Sequence, residues 1–382
     1  MMSKITKREY LFEVKKKYWK ATKSRKGQLL DDFCTFTGYH RKYATELLNN
    51  PLPKKWKRYK PRAKYYDQPV IDALNVIWEA MDSICAERTH PQINNMLKKL
   101  VDCNELVVGE EVEKKLLEIS LGSVKAILRK EKTRSVIRIG GTTKPGSLLK
   151  SQIAIRYGRW DEVMPGWCET DTVAHCGDTV AGSYISSLDV VDICSSWSEQ
   201  HAILNKGEKA VTKAMDNIKN RLPFTLLGLD PDNGAEFINW SLFNYCKKNE
   251  VNLTRSRPYH KNDNAHIEQK NWTAIRQLVG YSRFETEEQL NILNNLYANE
   301  WRLYLNFFQP TMKLKEKIKD LTTGRTKKKY YEAKTPYQRL IEHPDISEKQ
   351  RDMLRSAYNN LNPVKLRRQI KVKINRLKRT LK

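Results

Sequence analysis

The sequence predicts a multidomain chain: all-α helix-turn-helix modules at the N-terminus, an α/β core on a mixed five-stranded sheet, and a mostly helical, basic C-terminal region. Three observations carry that prediction. At 382 residues the chain has room for two to four domains. Apolar residues recur at helical spacing up to about residue 130, then give way to β-branched and aromatic runs from Gly166 onward. The net charge of +26 is gathered at the ends: 19 Lys/Arg against 5 Asp/Glu over residues 1–66, and nine basic residues with no acid over residues 364–382. A polyanion gripped at both ends is the simplest partner for that distribution. A basic surface serving solubility alone is the bland alternative.

Other classes are disfavoured. With 40% hydrophobic and 30% charged residues the chain can bury a core and stay in water. No stretch approaches the ~20 apolar residues of a membrane span, and the N-terminus is charged without the apolar run of a signal peptide. No membrane partner and no small-molecule substrate are expected. Seven scattered cysteines, an odd number, suit reduced thiols and a cytoplasmic, nucleoid-associated protein. Cys168, His175 and Cys176 lie close together in sequence, but nothing pairs with them at zinc-ligand spacing.

Residues 1–50 are expected to form the first module. Thr6 and Glu9 suggest a capping box for a helix through Thr22, with Leu11, Val14 and Tyr18 as its stripe. A second helix carries Leu29, Leu30 and Phe33 and ends near Gly38. A third turns Ala44, Leu47 and Leu48 inward and His40, Arg41, Lys42 and Thr45 outward, so His40, Arg41 and Lys42 are candidate DNA contacts. Residues 51–66 read as an extended arm in which Lys54, Lys55, Lys57 and Arg58 alternate with Trp56 and Tyr59, suited to a nucleic-acid backbone. A plain solvated linker is the alternative. Residues 67–132 repeat the helical pattern, with Val124, Ile127 and Leu128 inward and Lys125 and Arg129 as candidate contacts. Glu110, Glu111 and Glu113 weaken the positive field of this second module. Residues 133–160, with Gly140-Gly141 and Pro145-Gly146, read as a linker.

The core, residues 161–285, reads as β-β-β-α-β-α-β-α. The strands are 167–175, 182–193, 195–204, 224–229 and 251–254, and the last helix bears Glu268. Asp232 follows an apolar run, with Asn233-Gly234 supplying a tight turn. Asp171 lies mid-way along the first strand, and alternation puts Glu169, Asp171 and Val173 on one face. Three carboxylates from two strands and a helix suit divalent-metal and phosphodiester chemistry. Residues 286–382 are expected to hold a helix over 288–308, a basic aromatic tether over 324–340, a helix capped by Ser347 and Gln350, and a final helix opened by Asn362-Pro363. That last helix is a candidate for DNA binding or subunit packing.

That element order, Trp167 four residues before Asp171, the string Asp232-Asn233-Gly234-Ala235-Glu236-Phe237, and 35 residues between Asp232 and Glu268 resemble the DDE transposase and retroviral-integrase superfamily. With helix-turn-helix modules ahead of the core, the layout resembles bacterial insertion-sequence transposases, over roughly residues 1–310. The resemblance implies a ribonuclease-H-like core and a DNA transposase that binds terminal inverted repeats, cleaves element ends and transfers them into target DNA. It also implies at least a dimer. Asp171, Asp232 and Glu268 would be both catalytic residues and metal ligands, Asp171 bridging two Mg²⁺ (or Mn²⁺) ions and the others completing one each. Without metal the three charges would repel one another; hard oxygen ligands favour Mg²⁺ or Mn²⁺ over zinc. Two ions would activate the attacking hydroxyl and stabilise the departing oxygen.

Tyr259, His260 and Lys261 precede the final Glu and are candidate substrate contacts, and Asn264 lies one turn before it. Glu169, Asp189, Asp192 and Asp230 are expected to support rather than ligate, and Glu236 to hold the turn. The sequence departs from many relatives at the seventh position after Glu268, where Ile275 replaces a basic residue; Arg276 or Lys270 would take that DNA-contact role. The zinc-binding HHCC domain of retroviral integrases is absent, the N-terminal histidines being His40 and His90. A catalytically silent DNA-binding regulator derived from a transposase, and a nuclease that cuts without joining, are the alternative functions.

Overall fold

A three-helix unit occupies the N-terminal end: α1 (Lys4–Lys20), α2 (Lys23–Thr37) and α3 (Arg41–Asn49). The computed structural model describes residues 4–51, 65–131, 154–155, 164–231, 236–255, 265–319 and 326–381. They divide into two compact units, Met1–Tyr65 and Tyr66–Lys382. In the first, Val14, Tyr18, Leu30, Phe33, Ala44 and Leu48 form the core, at the positions the helical spacing requires. Gly38 ends α2 at φ 68°, and its N–H donates to Cys34 O, a left-handed cap that spares a Cβ clash. Lys15 lies buried along the bundle and donates to Leu47 O at 2.8 Å and to Asn50 O, closing the end of α3. The expected capping box at Thr6 does not form, because α1 is already under way at Lys4. The arm at 52–64 lies outside the described residues.

The second unit opens with α4 (Gln68–Ala80), α5 (Ala86–Thr89), α6 (Ile93–Asp102), α7 (Glu110–Leu117) and α8 (Leu121–Glu131). Leu116, Val124 and Leu128 are buried, α7 packing on α4 and α6 and α8 on α5. These helices share one apolar core with the sheet and the C-terminal helices. Long-range bonds tie them in: Tyr304 Oη donates to Ala80 O at 2.8 Å, and Lys99 Nζ to Tyr358 O at 2.8 Å.

The sheet comprises β1 (Ala154–Ile155), β2 (Trp167–Ala174), β3 (Ile185–Asp192), β4 (Ser198–Leu204), β5 (Gly228–Pro231) and β6 (Asn252–Arg255), in the order β1-β6-β5-β2-β3-β4. Strands β2, β3 and β4 form an antiparallel meander. On its other side β5 pairs parallel with β2, and β6 parallel with β5, through crossovers containing α9 (Glu208–Lys219) and α10 (Trp240–Lys248). This is the ribonuclease-H-like arrangement of five main strands. The short β1, parallel to β6, adds a sixth within the stretch expected to be linker. β5 begins at Gly228, later than expected. Leu227 and Gly228 both give their N–H to Gly166 O, so the ladder starts only where Trp167 meets Gly228. A Cβ at Gly228 would stand 2.2 Å from the Trp167 ring, which is why glycine occupies the position.

After β6 come α11 (Ala265–Lys270), a wider π turn (Asn271–Arg276) and α12 (Gln277–Val279). Then α13 (Glu287–Leu296) runs through a second π turn (Tyr297–Trp301) into α14 (Arg302–Phe308). The expected tether instead contains β8 (Thr326–Tyr330), paired with β7 (Leu314–Lys319), followed by α15 (Pro336–Glu342). Ser347 and Gln350 form the expected capping box on α16 (Glu348–Asn360), and Asn362 caps α17 (Pro363–Arg379). α17 buries Leu366, Ile370 and Leu377 in its own unit. Arg367, Arg368, Lys373 and Arg376 pair with Asp82, Glu105, Glu300 and Glu288, so much of the C-terminal charge is answered within the chain.

Candidate active site

The site forms where β2 meets α11. Asp171, half-buried in β2, accepts from Asn271 Nδ2 through Oδ2 at 2.6 Å and from the Thr172 backbone through Oδ1 at 2.6 Å. Two residues earlier the buried Glu169 accepts the Ile267 N–H at 2.9 Å. That N–H belongs to the first turn of α11 and has no partner within the helix. A carboxylate there also complements the positive end of the helix. The two bonds fasten α11 and the start of the π turn to one face of β2, the face that alternation assigned to Glu169 and Asp171. Glu268 follows Ile267 directly, is exposed, and lies three residues before Asn271 on the same helical surface.

Asp232 falls outside the described residues, as do Asn233, Gly234, Tyr259, His260, Lys261 and Asn264. The strand register leads up to Asp232: Pro231, the residue before it, pairs with Thr170, the residue before Asp171.

The neighbouring acids are engaged. Asp189 lies opposite Asp171 in β3 and is fully buried, and its Oδ1 accepts from Gln200 at 2.9 Å and Ser198 at 3.1 Å. Burial raises its carboxyl to about 6, against the pull of Lys270. Asp192 caps a turn by accepting from Gly166 N at 2.8 Å and Ser195 N at 2.6 Å. Asp230 accepts from Thr254 Oγ1 at 2.7 Å. Glu236 accepts from Thr172 Oγ1 and Lys206 Nζ, each at 2.9 Å. Burial pushes its carboxyl up, but Lys206 and these hydrogen bonds outweigh that and hold it below its ordinary value.

Two expected DNA contacts turn inward. Lys270 is only 5% exposed, and burial lowers its ammonium to about 8 while Asp189 opposes the drop. The charge it senses there is the buried Asp189 of β3. Arg276 donates to Ala174 O at 2.8 Å and Gly280 O at 3.4 Å, and its guanidinium stacks 4.7 Å above the Tyr281 ring. Arg276 closes the π turn. Each i→i+5 bond spans one residue more than an α turn, so the helical register after Glu268 is shifted before Arg276 is reached, while Ile275 is wholly buried.

The remaining candidates sit on helices. His40 caps α3, its Nδ1 accepting from Lys42 N at 3.4 Å, and Arg41 pairs with Asp31 while Lys42 is exposed. Lys125 pairs with Glu87 at 2.8 Å, and Arg129 is exposed. Lys54, Lys55, Lys57 and Arg58 lie outside the described residues. Asn271 escaped the sequence reading, although its i+3 spacing from Glu268 was the available signal.

Asp171 and Glu268 offer only hard carboxylate oxygens, a donor set that fits Mg²⁺ or Mn²⁺. Among the described residues, which omit Asp232, no group of three or more His, Cys, Asp or Glu is gathered to hold a metal ion.

No family model matches the chain. A curated relative, the uncharacterized protein y4rM of Sinorhizobium fredii (strain NBRC 101917 / NGR234), is 33% identical over 343 residues, covering 88% of this chain and 96% of its own length. Among solved structures, the catalytic core of BIV integrase aligns with TM-score 0.31 and 16% identity, over 45% of this chain and 91% of that one. The HTLV-2 integrase catalytic core, solved with magnesium, gives TM-score 0.30 and 15% identity over 39% and 92%. A simian T-cell lymphotropic virus intasome bound to PP2A regulatory subunit B56 gamma gives 0.32 and 13% over 52% and 64%.

Proposed function

This chain and the Sinorhizobium fredii protein y4rM belong to one family, and we propose that it is a metal-dependent DNA transposase of the DDE type. It binds the ends of its element, cleaves them and joins them to target DNA. The observation that carries this reading is the fastening of α11 and the π turn after it to β2: Asn271 holds Asp171, Glu169 holds Ile267, and Glu268 stands between those two bonds. Asp171, Glu268 and Asp232 would hold two Mg²⁺ or Mn²⁺ ions, whose Lewis acidity activates the attacking hydroxyl and stabilises charge on the scissile phosphate.

The chain's own residues do the positioning. Glu169 sets the depth at which α11 enters, and so where Glu268 points. Asn271 orients the Asp171 carboxylate, leaving one of its oxygens engaged by the backbone of Thr172. The exposed residues of the N-terminal helices, Lys42 among them, supply phosphate contacts, and joining two ends in one complex calls for at least two copies.

The reading is tested with purified protein, labelled DNA from the ends of the element that encodes it, and Mg²⁺. Nicking at the ends followed by transfer into a second duplex is expected, and Asp232→Asn abolishes both. Activity that survives Asp232→Asn would refute the reading. Cutting without transfer would leave a nuclease, and DNA binding without cutting a silent regulator.

A further inference from the structure

Every residue of β7 and β8 is exposed. The two strands make an antiparallel ribbon whose root is fastened and whose length carries lysines. At the root, Arg339 donates to Thr311 Oγ1 at 2.7 Å and Thr311 O at 2.6 Å, Lys313 Nζ donates to Ile193 O at 2.7 Å, and Thr311 and Lys334 exchange backbone bonds. Beyond it, Lys317 lies directly opposite Lys328, Ile318 opposite Lys327, and Lys319 opposite Thr326. Strand alternation puts Lys317, Lys319 and Lys328 on one face and Lys327 and Lys329 on the other.

Like charges facing each other across a strand pair weaken it. The acid within the two strands, Glu316, is taken by Lys329 at 2.5 Å. Among the described residues, Lys317, Lys319, Lys327 and Lys328 form no ion pair. This contrasts with α17, where four basic residues meet acids of the same chain. A lysine on each edge would suffice to deter strand pairing with other molecules; lysines stacked across one face serve no such purpose. An external anion relieves the repulsion. A two-stranded ribbon fits the major groove of a DNA duplex. The described strands hold no Arg, Asn or Gln, so lysine, a point charge better matched to phosphate, dominates the side chains they offer.

We propose that the β7–β8 ribbon grips the phosphates of duplex DNA without regard to sequence. The inference rests on the proposed DNA-processing function and assigns it a contact that the helical modules do not supply. The test uses the full chain with Lys317, Lys319, Lys327 and Lys328 all changed to Gln, and two duplexes of equal length and unrelated sequence. Binding constants are measured across a salt series. Each lost phosphate contact removes about 0.9 from the slope of log K against log salt, so the slope falls by roughly 3–4 on both duplexes, with the thermal melt unchanged or raised. The matching Lys→Arg variant keeps the wild-type slope. A wild-type slope in the Gln variant, a loss confined to one duplex, or no rescue by Arg would overturn the inference. So would a change in sedimentation without a change in slope, which would make the ribbon a contact between copies. If the wild-type chain itself binds neither duplex at low salt, the proposed function falls along with the ribbon.

Discussion

Glu169 is a sensitive place to perturb the site without touching a proposed ligand. Its carboxylate is buried, 1% exposed, and accepts the Ile267 N–H at 2.9 Å at the entry of α11. Two changes separate its contributions. Glu169→Gln keeps the shape and an acceptor oxygen but loses the charge. That costs the difference between a charged and a neutral hydrogen bond plus the interaction with the helix end, about 1 kcal/mol. Glu169→Ala removes the bond, strands a buried N–H and leaves a void, for about 3 kcal/mol. Because Glu268 follows Ile267, the Ala variant also lets the helix entry shift. A 1 Å misplacement of a catalytic group costs about 100-fold in rate. Urea unfolding gives the stability terms, and single-turnover nicking of labelled element ends gives the rate. The expected outcome is a graded loss of stability, with nicking falling about 100-fold in Glu169→Ala while DNA affinity holds. Wild-type stability and rate in Glu169→Ala would show that the Glu169–Ile267 bond does not set the site.

The other predictions concern the scaffold. Gly228→Ala puts a methyl 2.2 Å from the Trp167 ring and should cost about 1–3 kcal/mol or more from overpacking. Gly27→Ala, inside α2 with nothing within 4 Å, should gain about 0.5–1 kcal/mol, and urea midpoints read both. His175 is buried beside Ser187 at 2.7 Å, and burial, then Arg276, lowers its imidazole to about 3. The folded chain therefore binds this proton less readily than the unfolded chain, whose value is about 6.5. The stability tied to His175 is complete above that value and drains away as pH falls toward 3. His175→Gln should flatten the fall in unfolding free energy between pH 7 and 5, by on the order of 2 kcal/mol. A parallel pH profile for the two proteins would contradict this.

The parts of the fold visible in the sequence are those with strong periodicity or unambiguous caps. The apolar spacing around Phe33, Ala44 and Leu48, the face shared by Glu169 and Asp171 in β2, and the Ser347 and Asn362 caps all correspond to structure. Local pattern was misleading where long-range pairing decides. Thr6 and Glu9 fit a capping box, but a helix already begun at Lys4 has no use for one. The run Thr326-Lys327-Lys328-Lys329-Tyr330 read as a tether because nothing in its composition announces its partner across the ribbon. At the site, Asp171 and Glu169 followed from alternation. The inward turn of Lys270 did not, since an ideal α turn hides the π widening after Glu268 and nothing local announces the buried Asp189. The acids that meet Arg367, Arg368, Lys373 and Arg376 of the C-terminal helix were not legible either, because they lie far away in sequence.

Divalent-cation binding tests the central claim without needing to know the DNA. Mn²⁺ added to the full chain is followed by water-proton relaxation for the wild type, Asp171→Asn, Glu268→Gln and, as a control away from the site, Glu348→Gln. Tight Mn²⁺ sites are expected in the wild type and the control, weakening sharply in both site variants, while thermal melts of the metal-free proteins agree. Equal Mn²⁺ affinity and stoichiometry in all four proteins would contradict it.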